Sequence, residues 1–238
     1  MQEHIFLAGA TGALGRVLGP ILVATGYRVS GTTRHPDRTA LLEKLGIEPV
    51  VVDVFDRNRL AEVMVRCAPS IVIHQLTDLP AKLDPALMAQ AVVRNARIRR
   101  EGTRNLVDAA VAAGCRRLVL QSIAWAYAPG PLPYHEESPL DMHAQGTRRI
   151  SIDGVMALEQ CGSAIADLDV TILRYGQLYG PGTANMQASG SSPVHVNAAA
   201  KATLLALQRT NSGIFNITED HGEASNRKAR EQLLWLPD

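Results

Sequence analysis

Gly9, Gly12 and Gly15 stand three residues apart in HIFLAGATGALG, residues 4–15. An apolar run, residues 5–8, leads into them, and a helical pattern follows at once. Strand, tight glycine turn and helix N-terminus together take a pyrophosphate onto backbone N–H groups. Gly9 suits the turn, Gly12 leaves the backbone open to the pyrophosphate, and Gly15 lets helix and sheet close. Thr11, Ala13 and Leu14 fall in the same cradle and are expected to meet a dinucleotide with them.

A second strand pattern, residues 27–33, runs into GTTRHPDR. NAD-binding proteins place an acid near this point for the ribose 2′-hydroxyl, whereas an arginine accommodates a 2′-phosphate. Arg34 and Arg38 are therefore expected to grip a 2′-phosphate, with Thr33 adding a hydroxyl. That favours NADP and leaves NAD open. The plainer reading is two solvated arginines. It has weight here, because lysine occurs only at 44, 82, 201 and 228, so arginine supplies 20 of the 24 basic residues.

Positioning these groups calls for alternating strands and helices. Strand patterns at 5–8, 27–33, 50–54, 71–75, 117–122 and 170–174 alternate with helical patterns at 13–25, 37–45, 57–67, 84–113 and 149–164. The alternation predicts an α/β fold, a doubly wound parallel sheet of Rossmann type, with its crevice beyond the carboxyl ends of the strands. Residues 180–194 are rich in Gly, Ser and Pro and read as a loop. A short strand and helix from 194, a strand at 213–218 and a helix at 223–234 follow. We expect one domain, 1–238, with roughly 176–238 contributing a small C-terminal lobe.

The chain has 238 residues, 46% of them hydrophobic, and a formal net charge of +1. No general attraction to nucleic acid or to a membrane surface follows from that charge. No apolar run reaches the roughly 18 residues a membrane helix needs. Cys67, Cys115 and Cys161 are scattered and form no metal spacing, so no metal is expected. With no room for a signal peptide before the first strand, the expected location is the cytoplasm.

The chain resembles the extended or atypical short-chain dehydrogenase/reductases, the branch that contains nucleotide-sugar epimerases. The resemblance rests on the G-x-x-G-x-x-G turn, RRLVLQSIAWAY at 116–127, LRYGQLYGPGT at 173–183 and VHVNAAAKA at 194–202. It implies that Asp53 binds the adenine amino group, with Val54 beside it. It also implies that Gln75, Leu76, Gln121 and Tyr175, at the ends of later strands, line the cofactor. Ser122 matches the active-site serine or threonine at the end of the fifth strand. The substrate-covering insert between GPGT and VHV is short.

The family carries a Tyr-x-x-x-Lys pair for proton transfer. None of the five tyrosines here, at 27, 127, 134, 175 and 179, has a lysine four residues on. Matching Glu159 to the family's glutamate puts Ser151 at the tyrosine position and Val155 at the lysine position. A serine hydroxyl is too weak an acid and a valine carries no charge, so Ser151 is not expected to be a proton donor. The candidates for chemistry are then Ser122, Tyr127 and Tyr134, with His143 next. The plainer reading is that Ser122 caps local backbone and that Trp125, Tyr127, Tyr134 and His135 wall a pocket.

Three functions remain open. One is an NAD(P)-dependent oxidoreductase or epimerase-like enzyme on a small carbonyl, hydroxyl or sugar-like molecule, with non-standard acid/base residues. Another is a catalytically silent NAD(P) sensor. The third is a non-redox enzyme on the same fold. A homodimer through the 149–164 helix is an open expectation, against ordinary core burial of that helix. One outcome follows from the glycine turn alone. Gly12→Val puts a side chain where the pyrophosphate must sit. Calorimetry should show NADP affinity falling by orders of magnitude, with the far-UV circular dichroism unchanged.

Overall fold

The computed structural model describes residues 2–164, 168–209 and 212–237. Seven parallel strands form the central sheet in the order β3-β2-β1-β4-β5-β6-β9. They are β1 (His4–Ala8), β2 (Arg28–Thr33), β3 (Glu48–Val51), β4 (Ile71–His74), β5 (Arg117–Ile123), β6 (Asp169–Tyr175) and β9 (Gly213–Ile217). β1 and β4 are fully buried; β1 is apolar after His4 and β4 is apolar up to His74, as strands covered on both faces require. The strand order turns back between β1 and β4, which sets the crevice for a dinucleotide at their carboxyl ends.

Two apolar layers cover the sheet. On one face, Leu14, Leu18 and Leu22 of α1 (Ala13–Ala24) pack with the alanines of α7 (Val196–Arg209) and with Trp235. On the other, Leu60, Val63 and Met64 of α3 (Arg57–Cys67) join Leu106 and Ala110 of α5 (Thr103–Ala112) and Leu158 of α6 (Gly146–Ser163). The helix expected at 37–45 is α2 (Thr39–Lys44), which adds Leu42 to the first layer. No helix among the described residues is long and apolar enough to cross a membrane.

Several boundaries differ from the pattern. β3 occupies 48–51 rather than 50–54, because its partner β2 ends at Thr33. One further bond, Val52 N–H to Thr33 O, closes the ladder before the chain turns at Asp53. The helical stretch 84–113 is α4 (Pro85–Arg97), a π-turn over 98–102, and α5. The last helix, α8 (Arg227–Leu233), starts later than 223. Residues 223–226 are instead bound to the neighbouring loop, through Glu223 N–H to Ser191 O and Asn226 Nδ2 to Thr218 O.

β9 lies beside β6 in the main sheet, and α7 lies against α1. The small lobe is therefore the remainder, residues 176–195 and 218–226, built around the two-stranded pair β7 (Gln177–Tyr179) and β8 (Pro193–His195). In α6, Ile152, Val155 and Leu158 are buried within the chain.

Trp235 locks the C-terminus onto this core. It is fully buried, and its Nε1–H donates to Ala198 O at 2.8 Å. Trp235→Ala should lower the unfolding free energy by about 3–5 kcal/mol, read from urea unfolding, with Trp235→Phe losing much less.

Candidate active site

The glycine turn sits at the carboxyl end of β1. Gly9 has φ +90°, and a Cβ there would lie 2.5 Å from Gln75 O. A Cβ on Gly15 would lie 2.3 Å from Gly9 O, so helix and strand close only around glycine. Gly12 is the N-cap of α1 and has no side chain to cap it, and the first turn carries no acid. Gly12 N–H bonds to Gly9 O, while the N–H groups of Ala13, Leu14 and Gly15 find no acceptor among the described residues. A helix start with free donors and no neutralising acid is built for an anion. The residues fit a dinucleotide pyrophosphate.

Arg34 stands on the rim after β2. Its Nη2 lies 3.2 Å from Asp78 Oδ1, and the other oxygen of Asp78 takes Arg94 Nε at 3.1 Å. The Arg34 side chain is half exposed, so the ion pair is worth about 1 kcal/mol or less and yields readily to a phosphate. Arg38, in a short 3₁₀ turn, is exposed. Asp53 is exposed too. One of its oxygens accepts Phe55 N–H at 2.9 Å, and the N-cap of α3 is Asp56. Val54 is half-buried in the core layer, with its carbonyl bound to Asn105. Thr11 and Gln121 are half-buried.

Deeper in the crevice the polar groups are paired among themselves. His74 ends β4, fully enclosed. Its Nδ1 accepts Leu76 N–H at 3.3 Å, which leaves the proton on Nε2, 3.1 Å from Thr103 Oγ1. Burial lowers its pKa to about 4, so the ring is neutral. Gln75 Nε2 donates to Tyr175 Oη, which is 2.6 Å from Thr203 Oγ1. Burial pushes the Tyr175 phenol up to about 12. Gln75 Oε1 is buried with no donor, an open acceptor beside the glycine turn.

Ser122 and Tyr127 belong to one buried network. Ser122 Oγ donates to Glu159 Oε1 at 2.6 Å. Arg174 grips the same carboxylate with Nε at 2.9 Å and Nη2 at 2.7 Å. Its Nη1 reaches Tyr127 Oη at 2.9 Å and Glu136 O at 3.0 Å. Tyr127 then donates to Asn216 Oδ1 at 2.6 Å, and burial raises its pKa. Tyr134 stacks on Tyr127, its Oη accepting Gly130 N–H. Val155 is fully buried in an apolar cluster with Ile123 and Ile152. The structure thus brings Ser122, Tyr127 and Tyr134 together through Arg174 and the ring stack, and sets the glycine turn, Leu76, Gln75 and Tyr175 around β1 and β4.

Sequence reasoning missed Asp78, Thr203, Asn216 and the Arg174–Glu159 pairing. Arg174 lies inside LRYGQLYGPGT and Glu159 at the family's glutamate position, so a strand arginine opposite a helix glutamate is the available signal. Nothing in the sequence pointed to the others.

A family model described as NAD(P)H-binding matches residues 9–203. The chain belongs to that family. A 3-diazoavenalumate denitrifying reductase from a Streptomyces species is 35% identical over 255 aligned positions, covering 98% of this chain and 79% of the relative. A UDP-N-acetyl-alpha-D-glucosaminuronate decarboxylase from Bacillus cytotoxicus is 26% identical, covering 84% of this chain and 62% of the relative. In fold, the chain is similar to the UDP-glucose 4-epimerase of Thermotoga maritima, with a TM-score of 0.78 at 18% identity, covering 99% of this chain and 94% of the other. The chain is thus a member of an NAD(P)H-binding family with a named reductase and a named decarboxylase among its relatives, on a Rossmann fold similar to that of an epimerase.

The buried histidine sets a pH dependence. Folded His74 stays neutral to about pH 4, while an unfolded histidine protonates near 6.5. Between those values the unfolded state binds more protons, so stability is full above about pH 6.5 and declines as pH falls through the window. The shift corresponds to about 3 kcal/mol. Urea midpoints from pH 7 to 4 should fall steeply for the native chain and less for His74→Asn. A remaining slope is expected from His4, whose pKa burial also lowers.

Proposed function

We propose that this chain is an NADPH-preferring reductase of an organic electrophile whose reduction needs no proton from the protein. An aryl diazonium carboxylate is the class we assign. The observation that carries the reading is the state of the groups at the carboxyl edge. Ser122 is tied to Glu159, and Ser151 and Val155 stand where the family's tyrosine and lysine would be. Tyr127, Tyr175 and His74 all have pKa values moved away from neutrality by burial. Acid/base catalysis at neutral pH calls for the opposite tuning.

Bound NADPH supplies a hydride. Reduction of a carbonyl, as in epimerase chemistry, also requires a proton at oxygen, and these residues are poor sources of one. Replacement of a diazonio group by hydride gives an arene and dinitrogen, with atoms and charge balanced and no proton consumed. The name of the Streptomyces relative supports that class.

The chain's own residues do the binding. The free N–H groups of α1 hold the pyrophosphate, and the open oxygen of Asp53 takes the adenine amino group. Arg34 leaves Asp78 for the 2′-phosphate, with Arg38 beside it. Buried Tyr175 and Gln75 keep the floor of the crevice fixed and dry.

Two measurements test the reading. With 3-diazoniocinnamate and NADPH in D₂O, product cinnamate should form faster than in a protein-free control and carry no solvent deuterium. Solvent deuterium in the product, or no rate above the control, overturns it. Arg34→Ala should weaken NADPH about ten- to a hundred-fold and leave NADH nearly unchanged. Equal losses for both would remove the NADP preference.

A further inference from the structure

Arg99 lies in the π-turn between α4 and α5, at a break in the helical hydrogen-bond ladder of the kind found at functional sites. Its stem crosses α6 where Gly154 lets α4 approach, and a Cβ on Gly154 would lie 3.0 Å from Ala96 Cα and 3.5 Å from Arg99 Cδ. Its Nη1 donates to Ser151 Oγ at 3.3 Å. No carboxylate among the described residues pairs with it. Glu159, the acid whose field it feels, is occupied by Arg174 and Ser122. Nε and Nη2 find no acceptor among the described residues, yet neither is sealed from solvent.

An uncompensated guanidinium that is half-buried is costly to hold in place. Burial lowers its pKa to about 10, which still leaves it charged at neutral pH. On the same helix as Ser151, Val155 and Ile152 are sealed in a cluster with Ile123, and of these side chains only Trp125 and Met156, packed against that cluster, keep exposed apolar surface. A planar fork with free donors matches a carboxylate, and the part-exposed Trp125 and Met156 offer apolar surface for the body that carries it. The cofactor's own phosphates are provided for elsewhere, at α1 and Arg34, on the other half of the sheet.

We infer that Arg99 and Ser151 form the subsite that binds the carboxylate of an aromatic acid substrate. This rests on the reading of the carboxyl edge as a substrate site beside bound NADP. It does not depend on diazonium turnover, so a failed turnover assay leaves it standing.

The test is binding to the NADP⁺-loaded protein, with trans-cinnamate, benzoate and hexanoate set against their neutral amides. Cinnamate should bind at least ten-fold more tightly than cinnamamide and more tightly than hexanoate. Arg99→Met should erase the preference for the acid, Arg99→Lys should keep part of it, and Ser151→Ala should reduce it a few-fold. NADP⁺ affinity should not change in any of them. If the native chain prefers none of the acids to its amide, the inference fails without any variant being needed. Preference surviving in Arg99→Met also overturns it. A loss of NADP⁺ affinity in Arg99→Met or Arg99→Lys assigns the anion to the cofactor instead, which overturns it too.

Discussion

The two-pronged pairing of Arg174 with Glu159 constrains everything around the carboxyl edge. Both side chains are almost wholly enclosed, with 4% and 9% of their surface exposed. Ion pairs taken out of water lose hydration that their attraction only repays when every donor and acceptor is satisfied. Here the remaining valences are filled by Ser122, Tyr127 and the Glu136 carbonyl. Those partners come from β5 and the loop after it, and the pair itself from β6 and α6, while Tyr127 and the Glu136 carboxylate reach on to Asn216 of β9. One buried charge pair therefore ties three adjacent strands, a helix and a long loop into a single arrangement.

The same pairing decides what chemistry is left. A hydroxyl that donates at 2.6 Å to a carboxylate is a stabilised donor, and detaching it would leave Glu159 short of a partner in a dry site. Tyr127 is held between a guanidinium and an amide in the same way. Groups of good catalytic type are thus spent on architecture. The cofactor side of the crevice is the reverse case. Its helix start keeps its donors free, Arg34 is held by one exposed and weak ion pair, and Gln75 Oε1 waits without a donor. Saturation on one side and open valence on the other divide the crevice into a scaffold and a binding surface.

Much of this was legible in the sequence. The glycine turn, the strand alternation and the helices on both faces follow from periodicity and punctuation, because each is a local pattern. Where reading by pattern failed, distance along the chain was the cause. β3 stopped early because β2 ended, and α8 started late because residues 223–226 were bound to a loop more than thirty residues earlier. Arg174 and Glu159 each stood in view, yet neither residue announced that they meet. Arg99 was hidden by composition, since it sits among Arg97 and Arg100 in a chain where arginine is the ordinary base. Arg97 is bound to Glu101, and only the fold shows that Arg99 is not paired to an acid.

The absence of the tyrosine and lysine fits this division. The family resemblance puts that pair at positions 151 and 155 of α6, where this chain has Ser151 and Val155. Val155 carries no charge and packs with Ile123 and Ile152 in a buried apolar cluster. A positive charge nevertheless lies close to position 151, in Arg99 of the neighbouring π-turn. A guanidinium is a poor proton donor at neutral pH and a good anchor for an anion. On the proposed reading, the site serves to hold a charged molecule still rather than to move protons. On the proposed function, hydride transfer would need orientation alone, because the electrophile takes care of its own charge.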